Sequence, residues 1–116
     1  MSSPENAANL IKSYGQNAIR AELQSLQNLT TYIDDQFAAV VELLLQQKGR
    51  AIFTGIGKSA IIAQKIVATC NSTGTPAIYL HAADAIHGDS GMISSDDIVL
   101  IISKSGESPE IKNLVQ

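Results

Sequence analysis

Three short runs that are apolar at every position constrain this chain most: Ala51-Ile52-Phe53, Ala77-Ile78-Tyr79-Leu80 and Ile98-Val99-Leu100-Ile101-Ile102. A strand with one face in water alternates apolar and polar residues, whereas a strand covered on both faces reads as a continuous apolar run. Between the first two runs, Ser59 to Asn71 has helical spacing, with Ile62, Ile66 and Cys70 on one line. Between the second and third lies a shorter segment carrying Gly88 and Gly91. Strand, crossover and strand in this order predict an α/β fold, a three-layer αβα arrangement around a parallel sheet.

Two helices are expected ahead of the sheet. Ser2 and Glu5 fit a capping box, with Pro4 an early helical residue. Leu10, Ile11, Tyr14, Ala18, Ala21, Leu26 and Leu29 then form a drifting stripe that suits one long amphipathic helix. Thr30 and Thr31 mark a break, and Ile33, Phe37, Val40, Val41, Leu44 and Leu45 line a second helix. Gly49 has the position of a left-handed C-terminal cap, with Lys48 in a favourable last turn. The chain therefore divides into a helical segment, 1–49, and a sheet-bearing segment, 50–116. Ser108, Pro109 and Glu110 open another helix. A three-stranded parallel sheet would leave a long apolar edge strand uncovered, which predicts a truncated domain or a covering partner.

At 116 residues the chain supports one domain. A net charge of -3 gives no electrostatic footprint for nucleic acid or an anionic membrane. Lone Cys70 excludes an internal disulfide framework and fits a reducing compartment. The opening MSSPENAANL lacks the basic and apolar regions of a signal peptide, and no apolar run approaches the ~20 residues of a membrane span. A cytoplasmic location is expected.

Two loops suit an anion. Thr54-Gly55-Ile56-Gly57-Lys58-Ser59 combines glycines, which let backbone approach a ligand, with the start of a helix. A Walker A loop would need glycine where Ile52 stands. Gly55, Gly57 and Ala60 satisfy a dinucleotide fingerprint, but the ribose-binding acid expected near the end of the second strand is replaced by Leu80 and His81. The second loop, Ser103-Lys104-Ser105-Gly106-Glu107-Ser108, gathers three hydroxyls, although Ser108 has an alternative reading as a helix cap. Between the loops lies His81-Ala82-Ala83-Asp84-Ala85-Ile86-His87-Gly88-Asp89. As a metal site this set lacks a fixed third ligand; as acid/base machinery its imidazoles suit proton transfer on a sugar.

Together these segments resemble the sugar isomerase (SIS) domain family, through the GxGxS turn at Gly55-Ile56-Gly57-Lys58-Ser59 and the SxSGxS/T loop at Ser103 to Ser108. Within it the chain is most similar to D-arabinose-5-phosphate isomerases, through Asn71-Ser72-Thr73-Gly74-Thr75-Pro76, the His81…His87-Gly88-Asp89 run and Gly106-Glu107-Ser108-x-Glu110. It departs from that subfamily at His81-Ala82-Ala83-Asp84, where His-Pro-Gly-Glu is usual. The resemblance implies a flavodoxin-like sheet of which 50–116 is the first half, since the family domain continues with further site residues. It implies interconversion of D-ribulose 5-phosphate and D-arabinose 5-phosphate, in supply of Kdo for lipopolysaccharide or capsule. Lys58, His87 and Glu110 would be catalytic; Gly55, Gly57, Ser59, His81, Ser103, Ser105, Gly106 and Ser108 would bind substrate. It implies a small phosphosugar as partner, no cofactor or metal, and a homo-oligomer (a tetramer) with sites shared between subunits. A non-catalytic sugar-phosphate sensor and an SIS enzyme for another phosphosugar are the alternatives.

Overall fold

The computed structural model describes residues 3–86 and 89–107, with positions 109, 112 and 115. In chain order these form α1 (Pro4–Leu29), a 3-10 turn (Thr30–Tyr32), α2 (Asp35–Gln46), β1 (Ala51–Gly55), α3 (Lys58–Ser72), β2 (Ala77–Tyr79), α4 (Ala82–Ile86), a second 3-10 turn (Asp89–Met92) and β3 (Ile98–Ile102). They group into two compact units, Met1–Val41 and Glu42–Gln116.

In the first unit, α1 is capped by Ser3, whose Oγ accepts from the Asn6 N–H at 3.2 Å. The expected cap, Ser2, lies outside the described residues. Pro4 occupies the first helical position, so the residue before it becomes the cap. The break at Thr30 is real: the Thr30 and Thr31 hydroxyls donate back to the Gln27 and Asn28 carbonyls at 2.8 Å, tightening the chain into the 3-10 turn. No residue of α1 is buried, and Leu10, Ile11, Tyr14, Ile19 and Leu26 are all more than half exposed. Asp34 opens α2 by accepting from the Phe37 N–H at 3.1 Å.

The second unit is built on a parallel sheet of order β2-β1-β3. Central β1 is buried at all five positions: the apolar run Ala51-Ile52-Phe53 is covered on both faces, and Thr54 and Gly55 are buried with it. Alternate residues serve opposite faces. Ala51 and Phe53 pack with Ala63 and Ala77, joined by Ile66, Val67 and Cys70 of α3; Ile52 packs with Leu80, Ile78 and Ile93. The face of α3 differs from expectation by one position, since Ile62 is 54% exposed while Ala63 is wholly buried. Close helix-to-sheet approach selects the small side chain. Gly49 also departs from its expected role, because positive φ among the described glycines occurs at Gly57, Gly74 and Gly106 only. It is small because a Cβ there would overlap the Asp97 carboxylate and lie 2.6 Å from the Asp96 carbonyl oxygen.

That contact belongs to a clamp at the amino edge of the sheet. Asp97, with a side chain 2% exposed, accepts from the N–H groups of Arg50 (2.7 Å) and Ser94 (2.9 Å) and from the Arg50 guanidinium (3.3 Å). These bonds, the Ser94 N–H foremost, hold its carboxyl far below the ordinary carboxylate range. Arg50 Nη2 also donates to the Met92 carbonyl at 2.9 Å, so one ion pair ties the entries of β1 and β3 together. At β2, the Asn71 side chain both donates to the Ala77 carbonyl (3.0 Å) and accepts from its N–H (2.9 Å), standing in for a neighbouring strand.

Candidate functional site

Strand order decides what the two loops can do. The chain runs from β1 through α3 to β2 on one side, while β3 pairs on the other, so the order reverses between β1 and β3. Open α/β sheets bind ligands at such a switch point, outside the carboxyl ends of the strands. Register places Gly55, the last residue of β1, opposite Ile102, the last of β3. The glycine turn and the serine loop therefore leave the sheet side by side.

Gly55 is where three elements close on one another. A Cβ on it would lie 3.0 Å from the Ser59 carbonyl carbon, 3.1 Å from the Ala60 nitrogen and 3.1 Å from the Ile102 carbonyl oxygen. Gly57 follows at φ 63°, ψ -129°, the conformation of the first central residue in a type II′ turn and one that glycine dominates. It is the N-cap of α3 and supplies no side chain to the first turn; the Ala60 N–H donates to the Gly57 carbonyl at 3.1 Å, while the Lys58 and Ser59 N–H groups stay open to an anion at the positive dipole end. Lys58 is the first residue of α3, exposed, and makes no ion pair among the described residues; Ser59 beside it is half-buried.

The serine loop is built differently. Ser103 Oγ accepts from the Gly106 N–H at 2.8 Å, and Ser105 Oγ accepts from the Glu107 N–H at 3.1 Å. Gly106 makes the turn at φ 70°. Because these amides are engaged within the loop, each serine has its own O–H proton left to donate outward. The glycine turn thus offers amides and the serine loop offers hydroxyls. Glu107 is paired with Lys112 at 2.7 Å, which offsets a carboxylate close to this anion-suited loop.

His81 follows β2 on the same edge of the sheet and is exposed, with its Nδ1 accepting from the Ala83 N–H at 3.1 Å. The structure therefore brings Gly55, Gly57, Lys58, Ser59, Ser103, Ser105, Gly106 and His81 to one edge. His87, Ser108 and Glu110 lie outside the described residues. Among the described residues no three His, Cys, Asp or Glu side chains come together as a metal site. A cleft of about 360 Å³ opens at the other end of the sheet, between Leu44, Gly49, Gly74 and Pro76, with neither an acid nor an imidazole in its wall. Sequence reasoning missed the Asp97 clamp; its signal was an acid and an arginine each placed directly before an apolar run.

Comparison with known proteins bears on this edge. The SIS domain family matches residues 43–116. The arabinose 5-phosphate isomerase KdsD of Pseudomonas aeruginosa is 46% identical over 100 residues, covering 86% of this chain and 31% of that protein. KpsF of Escherichia coli O6:H1, also an arabinose 5-phosphate isomerase, is 41% identical over 117 residues, covering 97% and 36%. Among solved structures, E. coli CFT073 c3406 in complex with arabinose 5-phosphate superposes with a TM-score of 0.80 at 38% identity, covering 97% of this chain and 58% of that one. The chain thus spans about a third of the length of these curated relatives. No described helix is long and apolar enough to cross a membrane. Since the family match takes in the whole sheet and both loops at its switch point, the chain belongs to the SIS domain family.

Proposed function

We propose that this chain belongs to an aldose–ketose isomerase interconverting D-ribulose 5-phosphate and D-arabinose 5-phosphate. The observation that carries the reading is the pairing of an amide-offering turn with a hydroxyl-offering loop on adjacent strands, in a fold shared with a protein solved in complex with arabinose 5-phosphate. The remote phosphate would sit between them, on the open first turn of α3 and the hydroxyls of Ser59, Ser103, Ser105 and Ser108. Binding energy gathered there orients the reacting end of the sugar.

The reaction moves a proton between C1 and C2 through an enediolate, and so requires a base, an acid and stabilisation of the oxyanion. Lys58 is the natural partner of that oxyanion, being a fixed charge at the positive end of α3. Glu110 is the proposed base and His87 the proposed acid or hydroxyl partner, with His81 recognising a sugar oxygen. The apolar, unburied stripe of α1 supports a homo-oligomer; a tetramer with shared sites and a cytoplasmic location complete the proposal. Supply of Kdo for lipopolysaccharide or capsule is the proposed use of the product.

A phosphorus NMR time course with D-arabinose 5-phosphate tests this reading. A growing D-ribulose 5-phosphate signal, abolished in Lys58→Ala, is the expected result. A shifted phosphate line without conversion would bear out the phosphate cradle only, and the same run on a longer chain would then separate a sugar-phosphate sensor from an enzyme whose site this chain holds in part. An unperturbed spectrum would overturn the phosphate-loop reading for this substrate.

A further inference from the structure

His81 carries more information than its position. The backbone on both sides of it is fixed: the Leu80 N–H donates to the Phe53 carbonyl at 2.9 Å, and Ala82 is wholly buried. The imidazole stands edge-on to the Tyr79 ring, centroids 6.4 Å apart and planes at 89°. Its Nδ1 accepts from the Ala83 N–H at 3.1 Å. A backbone amide can only donate, so Nδ1 must present its lone pair, and the single proton of the neutral ring resides on Nε2. Among the described residues Nε2 has no protein partner.

We infer that His81 is a fixed hydrogen-bond donor to a sugar oxygen through Nε2–H, and is excluded from serving as the base of the isomerisation. The inference rests on the phosphosugar reading for its ligand, while the tautomer follows from the protein alone. A base acting on the substrate would need a lone pair on the outward nitrogen, and in this tautomer the lone pair faces Ala83. The residue therefore has two separable jobs, an inward acceptor that begins α4 and an outward donor that reads substrate.

Two conservative variants separate them. His81→Asn keeps an acceptor near Nδ1, where asparagine is a strong helix cap, but has nothing at Nε2. His81→Gln carries an amide donor near Nε2 and gives up the cap. In mildly alkaline buffer, nitrogen NMR of histidine-labelled chain, assigned by the signals lost in His81→Asn, is expected to show a protonated Nε2 and a bare Nδ1. The reverse pattern overturns the inference without any ligand present. Titration with D-arabinose 5-phosphate is expected to show about tenfold weaker binding for His81→Asn, the loss of one hydrogen bond, and near wild-type binding for His81→Gln. If His81→Asn binds as the wild type does, the outward donor has no role and the inference fails. If the wild type shows the expected tautomer but no affinity, the phosphosugar reading fails and the donor role fails with it, while the cap stands.

Discussion

Adding one methyl group at Gly55 tests the junction on which the site depends. In Gly55→Ala the new Cβ would meet backbone atoms of Ser59, Ala60 and Ile102 at 3.0–3.1 Å, closer than ordinary van der Waals contact. None is the end of a flexible side chain, so relief requires the start of α3 to move relative to β1 and β3. Overpacking of this kind costs ~1–3 kcal/mol, and since ~1 kcal/mol shifts the Tm of a 60–100-residue domain by ~4–8 °C, a drop of about 10 °C is expected. The displaced first turn should also weaken phosphosugar binding. Two comparators separate space from conformation. Gly57→Ala meets no atom within 4 Å but forces alanine into a positive φ, at ~1–3 kcal/mol. Gly15→Ala, in α1 with nothing within 4 Å, should stabilise by up to ~1 kcal/mol. Urea and thermal unfolding followed by circular dichroism, with a binding titration, reads all three. A Gly55→Ala chain as stable and as tight-binding as the wild type would refute the close approach and the adjacency of the loops built on it.

The Asp97 clamp predicts acid sensitivity. Its carboxyl is lowered in the folded chain, so the stability it contributes is present above the unfolded value of ~3.9 and is lost as pH falls below that. The urea midpoint should drop below about pH 4, and Asp97→Asn should be destabilised at neutral pH with a flatter acid slope; an unchanged slope would mean the clamp does not form. Asn71→Ala removes both side-chain bonds to Ala77 and leaves that backbone unpaired, for ~1–3 kcal/mol, read as a lower urea midpoint. Under the proposed function, turnover is expected to be retained in Asn71→Ala, because this pairing lies at the amino end of β2, away from the loops.

Strand existence and parallel class were legible because burial on both faces leaves a mark at every residue of Ala51 to Phe53, and Ile98 to Ile102 carry the same apolar pattern although they are only part-buried here. Order was not legible, since an apolar run does not say which neighbour it pairs with. Yet the order β2-β1-β3 is what sets two separately suggestive loops side by side. On α3 the expected Ile66 and Cys70 pack on the sheet, whereas Ile62 faces out because the sheet admits only what fits beneath the helix, and Ala63 fits. The Arg50–Asp97 pair, 47 residues apart in the chain, has no local pattern to announce it. The loops were the most readable part, because glycine and serine act through their immediate backbone. The Ser103–Gly106 and Ser105–Glu107 bonds span three and two residues. Which amides remained open still required the structure.

The Asn71 side chain has a consequence for how this sheet can be extended. By satisfying both backbone groups of Ala77, it closes the start of the three-residue β2 edge to an incoming strand. The opposite edge, β3, is five residues long, and Val99 on it is 37% exposed. The two margins are therefore unequal: one is closed at its start by a side chain that imitates a strand, the other offers a longer template. The longer β3 margin favours addition of a further strand there, and a parallel one would carry its following loop to the carboxyl edge beside Ser103 and Ser105.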